Sequence, residues 1–315
     1  MTTRVHRAQE EGAAMPTFTT PEPVFAVIGL PAANVRINAS DRADTVVEVR
    51  PSDESNDADV HSAEHIQVEY ASGRLLLKTA ADRGASTSGR SLSFDRLMES
   101  PANWARSLFG WRGSVEVTVE LPAGSRVDAS SAASLHCRGR LGEVNLTTSY
   151  GDIRVEQAGR LRVKTGTGDI SVTRSVGHAE VITTHGNIRV GEIDGTALVK
   201  TAHGAVSLGA VTGELRLNSA YGDVAVDRAL ADVTAKTAYG SLRIGEAVSG
   251  SVVLETTGGG LDLGLREGTA AWLDVSSQYG TVDVSLDACD GPAQSDETVE
   301  VRVHTTFGAI VIHRS

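Results

Sequence analysis

The sequence has 315 residues, a formal net charge of -11, 33 glycines and only 4% aromatic residues. Its acidic balance argues against nucleic acid as a partner, because binding to phosphates needs a basic stripe and the sequence contains none. Few aromatic residues and many glycines are more typical of short β-strands connected by many tight turns than of the core of a globular enzyme.

The N-terminal segment, residues 1–20, is predicted to be a disordered leader, and Met15 is a candidate for the true start. The segment lacks the apolar stretch of a secretory signal, and no run of about 18 apolar residues occurs that would cross a membrane. We therefore expect a cytoplasmic protein.

Residues 21–126 are predicted to form a smaller N-terminal β region. Alternating apolar segments are joined there by short loops such as Ala71 to Gly73, which can connect antiparallel strands but not parallel ones. We expect this antiparallel region to cap the following domain or to pair with its first strands. It includes an acidic loop, residues 53–59, and a mobile, polar loop, residues 81–103.

A concentration of large apolar side chains follows that loop, at Trp104, Leu108, Phe109 and Trp111. One interpretation is packing against the cap or an end of the repeat domain. The other is contact with a partner or a membrane surface, which would make the protein a membrane-associated envelope-stress module.

The segment from His61 to His65 matches the H-x-x-E-H pattern of some zinc peptidases, with Glu64 in the acidic position. Such a site needs a stable helix and a third ligand, whereas these residues are expected to follow a loop and enter a strand directly. Cys137 and Cys289 match no metal spacing and are expected to be free thiols. The sequence therefore predicts no metal site, no cofactor and no catalytic site.

Residues 127–315 are dominated by a repeat whose most regular element is a glycine followed by alternating apolar residues. The spacings between successive glycines are 17, 18, 18, 18, 18, 19, 21 and 28 residues, for Gly151, Gly168, Gly186, Gly204, Gly222, Gly240, Gly259, Gly280 and Gly308. A nearly constant period of this size indicates stacked repeats.

Four positions of each repeat are apolar in every copy: seven and five residues before the glycine, and two and four residues after it. This alternation is typical of half-buried strands. Each repeat thus supplies two strands with the glycine at the corner between them. The predicted fold is all-β, a right-handed parallel β-solenoid of about nine to ten coils, preceded by the antiparallel region. The position three residues before the glycine is always Thr or Ser, which predicts hydrogen bonds to the neighbouring coil or to the corner backbone.

The position just before the glycine carries mostly aromatic or imidazole rings. Because equivalent residues of successive coils lie roughly 4.8 Å apart, these rings are expected to form a row. The row is a candidate binding strip for sugars or peptides and consists of Tyr150, His185, His203, Tyr221, Tyr239 and Tyr279. A metal bridging His185 and His203 is the less favoured interpretation.

Ser114 to Val127, followed by repeated Tyr/Thr-Gly-Asp-Ile-x-Val, resembles the bacterial domain of unknown function labelled "putative adhesin". The segments from Met15 to Val24 and from Asp41 to Pro51 resemble its N-terminal portion. The resemblance implies a β-solenoid with a surface role and no catalytic residues. A more distant similarity is to bactofilins, which are β-solenoids that polymerise end to end.

The sequence favours a non-enzymatic interaction or scaffold protein, adhesin-like, that binds a protein partner or associates with itself. In the self-associating version of this hypothesis, the last coil, near Ile310 and Ile312, pairs with another chain. The alternatives are a carbohydrate-binding or carbohydrate-active solenoid that uses the Tyr/His row, and the membrane-associated module described above.

Overall fold

The computed structural model describes residues 15–79, 113–286 and 297–315, which form an all-β fold with one short helix. The chain divides into two compact units, Met1–Gly151 and Asp152–Ser315. The domain boundary predicted at residue 127 stays a prediction. No helix in the described ranges has the length and apolar character that a membrane crossing requires.

The N-terminal unit contains nine strands and the helix. They are β1 (Thr17–Thr19), β2 (Phe25–Gly29), β3 (Ala33–Ser40), β4 (Asp44–Pro51), α1 (Asp57–Glu64), β5 (Ile66–Ala71), β6 (Arg74–Thr79), β7 (Val115–Pro122), β8 (Arg126–Ser131) and β9 (Leu135–Tyr150).

Parallel pairing forms the centre of this unit, where β2 lies between β6 and β8, and β3 lies between β7 and β9. Antiparallel strands complete the sheet: β5 pairs with β6, β4 with β7, and β1 with β4. These three pairs confirm the predicted antiparallel region. The centre is parallel because β2 and β3 follow each other around one corner and stack on later strands, as the strands of a solenoid coil do.

Helix α1 corrects the expectation of an acidic loop over residues 53–59. The helix begins at Asp57 because the Asn56 side chain caps it by accepting a hydrogen bond from the Ala58 N–H. The buried Asp59 carboxylate accepts hydrogen bonds from the backbone N–H groups of Asp53 and Ser114, at 3.0 and 2.7 Å. The role of Asp59 is therefore to accept hydrogen bonds from backbone N–H groups that would otherwise lack a partner.

The C-terminal unit contains sixteen strands in its described residues. They are β10 (Ile153–Thr167), β11 (Ile170–Val176), β12 (Ala179–His185), β13 (Ile188–Asp194), β14 (Ala197–His203), β15 (Val206–Val211), β16 (Leu215–Tyr221), β17 (Val224–Ala229), β18 (Val233–Tyr239), β19 (Leu242–Ala247), β20 (Gly250–Gly258), β21 (Leu261–Leu265), β22 (Ala270–Tyr279), β23 (Val282–Ser285), β24 (Thr298–Phe307) and β25 (Ile310–Arg314).

All of these strands pair in parallel, in two ladders. One ladder joins strands that precede a glycine corner, such as β12, β14 and β16, and the other joins strands that follow it, such as β13, β15 and β17. The repeated apolar positions meet in register, as in Ile170↔Ile188 and Val181↔Val199, and their side chains are buried. The predicted parallel β-solenoid is confirmed.

The corner glycines are required by both conformation and space. Gly204 has a φ of +133°, and a Cβ added to it would lie 2.1 Å from the carbonyl oxygen of Gly186, in the corner of the adjacent coil. The Thr and Ser residues three positions before the corner glycines also contact these corners. Thr183 Oγ1 donates a hydrogen bond to the Gly168 carbonyl, and Thr256 Oγ1 donates one to the Gly240 carbonyl. These hydroxyls bond to the corner backbone of the preceding coil, whereas Thr201 Oγ1, Ser219 Oγ and Thr237 Oγ1 of the same column are buried without a hydrogen-bond partner.

The order of the last coils in space differs from their order in the sequence. Strand β24 lies between β20 and β22, and β25 lies between β21 and β23. The last segment of the chain is thus inserted between two earlier coils. To reach this inner position, the chain between β23 and β24 must cross back over one coil, which requires only a few extended residues. The 28-residue spacing before Gly308 supplies about ten residues more than a coil of this period needs.

This insertion corrects the expectation that the last coil in sequence forms the open end. Ile310 and Ile312 are fully buried. Within residues 15–79, 113–286 and 297–315, β22 pairs only with β24 and β23 only with β25, so these two strands form the unpaired edge.

Candidate functional site

The rings of the C-terminal unit stand side by side at the corner, where the register of the parallel strands aligns them. Successive pairs place the following residues in one line: His185, His203, Tyr221, Tyr239, Gly258, Phe307 and Tyr279. The six side chains in this line other than Gly258 are called the aromatic row below. Tyr150, also assigned to the binding strip, belongs to the N-terminal unit, where its ring is exposed and its carbonyl accepts a hydrogen bond from Thr148 Oγ1.

The rings of the row are stacked face to face. Ring centroids are 4.9 Å apart for His185 and His203, 5.1 Å for His203 and Tyr221, and 5.4 Å for Tyr221 and Tyr239, with interplanar angles of 4 to 12°. Phe307 and Tyr279 form a further stacked pair at 5.0 Å. The row follows from the coil spacing, because residues at equivalent positions are held about 4.8 Å apart by the strand hydrogen bonds.

Stacking decides what the row can present to a ligand. Each inner ring has both faces covered by its neighbours and turns its edge to solvent. Sugars bind aromatic side chains on the ring face, which carries the negative part of the ring quadrupole. The stacked part of the row therefore offers few faces for a sugar, although its rings are exposed.

The row is interrupted at one place. Gly258 occupies the position between Tyr239 and Phe307, so the two rings on either side of it lack a ring neighbour there. The binding strip predicted from the sequence did not include Phe307. In the sequence order of the repeats, Tyr279 follows Gly258 as the next member of the row. Phe307 stands in the same column of the repeat, which is the signal that could have identified it.

The two histidines of the row do not form a metal site of ordinary geometry. Their rings are stacked with a 4° interplanar angle, and the nitrogen lone pairs lie in the ring planes, so they do not converge on one ion. In the described part of the chain no group of three or more His, Cys, Asp or Glu side chains is placed to hold a metal.

The zinc-peptidase-like segment lies at the end of α1, where the ring centroids of His61 and His65 are 4.0 Å apart. His65 Nδ1 is 2.7 Å from the His61 carbonyl oxygen. The helix that the pattern needs is therefore present, but a third ligand is missing among the described residues.

Burial decides the chemistry of Cys137. Its side chain lies in the core of the N-terminal unit as a free thiol, and burial raises its pKa to about 12. A thiol with this pKa is a poor nucleophile at neutral pH. Cys289 lies outside the described residues, as do Trp104, Leu108, Phe109 and Trp111.

Charges on the outward positions are paired between coils. Arg162 and Glu180 are 2.7 Å apart, as are Lys236 and Glu255, while Arg228 and Glu246 are 2.8 Å apart. The basic side chain of each pair is about half exposed, so each pair contributes at most about 1 kcal/mol to stability.

The open edge of β22 and β23 is the second candidate surface. Trp272 is 68% exposed, and the inward positions Leu273, Val282 and Val284 are 37%, 45% and 40% exposed. Equivalent positions in the adjacent coil, such as Val301 and Ile310, are fully buried. A shallow depression of about 590 Å³ beside this edge is lined by Gly250, Ser251, Trp272, Thr298, Val299 and Glu300.

The fold and these surfaces define a parallel β-solenoid whose accessible features are a row of stacked rings and an unpaired sheet edge. The chain belongs to the family described as Toastrack DUF4097, whose model matches residues 27–308. The family resemblance carried by the repeat motifs is thereby confirmed, while the similarity to bactofilins stays a prediction. No curated protein matches the sequence significantly.

Several solved structures are similar to this chain at low identity. A "putative adhesin" from Parabacteroides merdae ATCC 43184 is 13% identical, with 95% of each chain covered and a TM-score of 0.43. A "putative lipid binding protein" from Parabacteroides distasonis ATCC 8503 is 12% identical, with 96% of each chain covered and a TM-score of 0.30. A "putative cell adhesion protein" from Clostridium sporogenes ATCC 15579 is 11% identical, covering 96% of this chain and 99% of that one, with a TM-score of 0.17.

Proposed function

We propose that this protein is a non-enzymatic interaction or scaffold module that associates with a second copy of itself through the open edge of β22 and β23. The observation that carries the proposal is the exposure of Leu273, Val282 and Val284 at positions that are buried in the adjacent coil. One further pair of strands on this edge would bury them.

The backbone of the edge supports pairing as well. Strands β22 and β23 present ten and four residues with one side unpaired in the described residues. Natural proteins protect such edges with lysine, proline, bulges or covering strands. Neither strand contains lysine or proline. In the N-terminal unit, by contrast, antiparallel β4 and β5 cover the outer sides of β7 and β6.

A second copy is the occupant that the geometry favours. A two-fold axis at the edge sets β22 antiparallel to a β22 strand and β23 antiparallel to a β23 strand, so one surface serves both partners. Each copy contributes the same apolar residues, with Leu273 on one strand and Val282 and Val284 on the other. Such a contact closes after two chains and forms a dimer, and it does not continue into a filament.

The test is light scattering after size exclusion over a wide concentration range. We expect a monomer–dimer equilibrium in the full chain and a shift to monomer in the double variant V282K/V284K, because two lysines on the edge oppose pairing. The control is V311K, since Val311 lies outward on β25 and is also exposed. A wild-type monomer at every concentration, or a dimer that V311K weakens equally, would refute the proposal.

The two alternative functions lack comparable support. Carbohydrate binding along the row meets the difficulty that most ring faces are covered. Membrane association depends on the segment from Trp104 to Trp111, which lies outside the described residues.

A further inference from the structure

We infer that the gap in the aromatic row at Gly258 is a binding slot for one aromatic side chain presented by a protein partner. The slot is bounded by Tyr239 and Phe307, whose rings are 54% and 55% exposed, and its floor is the backbone of Gly258. It is separate from the edge of β22 and β23, so it stands whether or not the protein dimerises.

The dimensions of the slot follow from the coil spacing. Tyr239 and Phe307 are two coils apart, so their backbones are separated by about 9.6 Å, twice the strand spacing. Stacked aromatic rings have centroids 4.5 to 7 Å apart, and the row itself uses 4.9 to 5.4 Å. One ring between Tyr239 and Phe307 therefore stacks on both, and two rings do not fit.

The Tyr239 ring leans into part of the space beside Gly258 and has no ring neighbour on that side. Its Cδ1 and Cε1 atoms lie only 3.0 and 3.3 Å from the point where a Cβ of Gly258 would be, so the ring leans over the glycine. The spacing from Tyr221 to Tyr239 is correspondingly the widest of the three consecutive spacings, at 5.4 Å. An incoming ring has only to turn this exposed side chain upright, a rotation that occurs within nanoseconds.

The chemistry of the slot favours an apolar, planar group over a sugar. The Gly258 carbonyl already accepts a hydrogen bond from the Gly240 N–H at 2.8 Å, and the Gly259 N–H donates to the Phe307 carbonyl at 2.8 Å. The residues that adjoin Gly258 in the sequence, Thr257, Gly259 and Gly260, carry no charge. A sugar would leave its hydroxyl groups with few partners there, whereas an aromatic side chain needs none.

The test uses amide NMR of the full chain titrated with N-acetyl-tryptophanamide. We expect saturable shifts of the Thr257, Gly259 and Gly260 amides, because a stacked ring shifts nearby protons. Gly258→Tyr should abolish these shifts by supplying the missing ring from within. Gly258 lacks the positive φ of the corner glycines, and the contact its Cβ would make is with the movable Tyr239 ring. Gly260→Ala is the matched control, since its Cβ would meet only the Ala309 carbonyl oxygen at 3.6 Å, and it should retain binding.

A second variant, Phe307→Ala, removes one wall and should weaken binding at least tenfold, which decides the question if Gly258→Tyr fails to fold. Methyl β-glucoside and N-acetyl-cyclohexylalaninamide serve as comparison ligands. The inference is overturned if wild type shows no saturable shifts with the tryptophan derivative, if Gly258→Tyr or Phe307→Ala binds it as wild type does, or if the glucoside produces the stronger effect.

Discussion

Val284 lies directly above Ile312 in the solenoid although it precedes Ile312 in the sequence, and the two side chains differ sharply in exposure. Ile312 is fully buried, whereas Val284 is 40% exposed. The residue nearest the C-terminus is thus the interior one. The exposed end of the unit is formed by an earlier segment, and this inversion determines which surface is free to bind.

The inversion predicts how valine truncations rank. Val303→Ala, on β24, should lower the free energy of unfolding by about 2 kcal/mol, because it leaves a cavity between two coils. Val284→Ala, on the edge strand β23, should cost less than about 1 kcal/mol, because the side chain is already partly in water. Urea denaturation of both variants, below the concentration at which the protein dimerises, measures the difference. Equal losses, or a larger loss for Val284→Ala, would contradict the observed stacking order.

The corner glycines predict a second ranking. Gly204→Ala should be strongly destabilising, by more than about 3 kcal/mol, because it combines a left-handed φ with a collision against backbone that cannot move alone. Gly268→Ala also has a positive φ, +80°, but its Cβ would meet nothing within 4 Å. Its cost should therefore be only the conformational one, about 1 kcal/mol. Thermal melts that show equal losses would mean that space at the corner is unimportant.

The coil spacing also sets the acidity of Asp223. Ser241, one coil away, donates both its hydroxyl and its backbone N–H to Asp223 Oδ1, at 2.7 and 2.9 Å, and this holds the pKa of the carboxyl below its usual range. Because the folded pKa is the lower one, the stabilisation is complete above the unfolded pKa of about 3.9 and is lost as the pH falls through the folded value. Carboxyl NMR titration should show the low pKa in wild type and a rise toward the usual value in Ser241→Ala. An unchanged pKa in the variant would exclude the hydroxyl as a cause.

Cys137 should resist alkylation in the folded protein. Its thiol is buried, and with a pKa of about 12 very little thiolate is present at neutral pH. Iodoacetamide labelling read by peptide mass spectrometry should modify Cys137 only after denaturation. Rapid modification of Cys137 in native protein would show that the core of the N-terminal unit opens readily.

Local features of the solenoid were predictable because each depends on a single repeat. The apolar columns, the glycine corner and the ring position of Tyr221 or Tyr239 are visible in one coil of sequence. The stacking order of the coils was not predictable. Val275 and Val303 occupy the same position of the repeat, and nothing in either repeat indicates which of the two coils lies at the end. The place of Phe307 beside Gly258 depends on that order, so the gap in the row could be read from the repeat but its second wall could not. Helix α1 was missed because Asn56 and Asp59 are equally typical of a polar loop.

Hydrogen–deuterium exchange at low and high protein concentration tests the central claim, self-association through the open edge, most directly. The account predicts that amides of β22 and β23 exchange more slowly at high concentration, because antiparallel pairing with a second copy protects their unpaired side. Amides of β20 and β21, which are already paired on both sides, should be unchanged. Exchange in β22 and β23 that is fast and independent of concentration would contradict it.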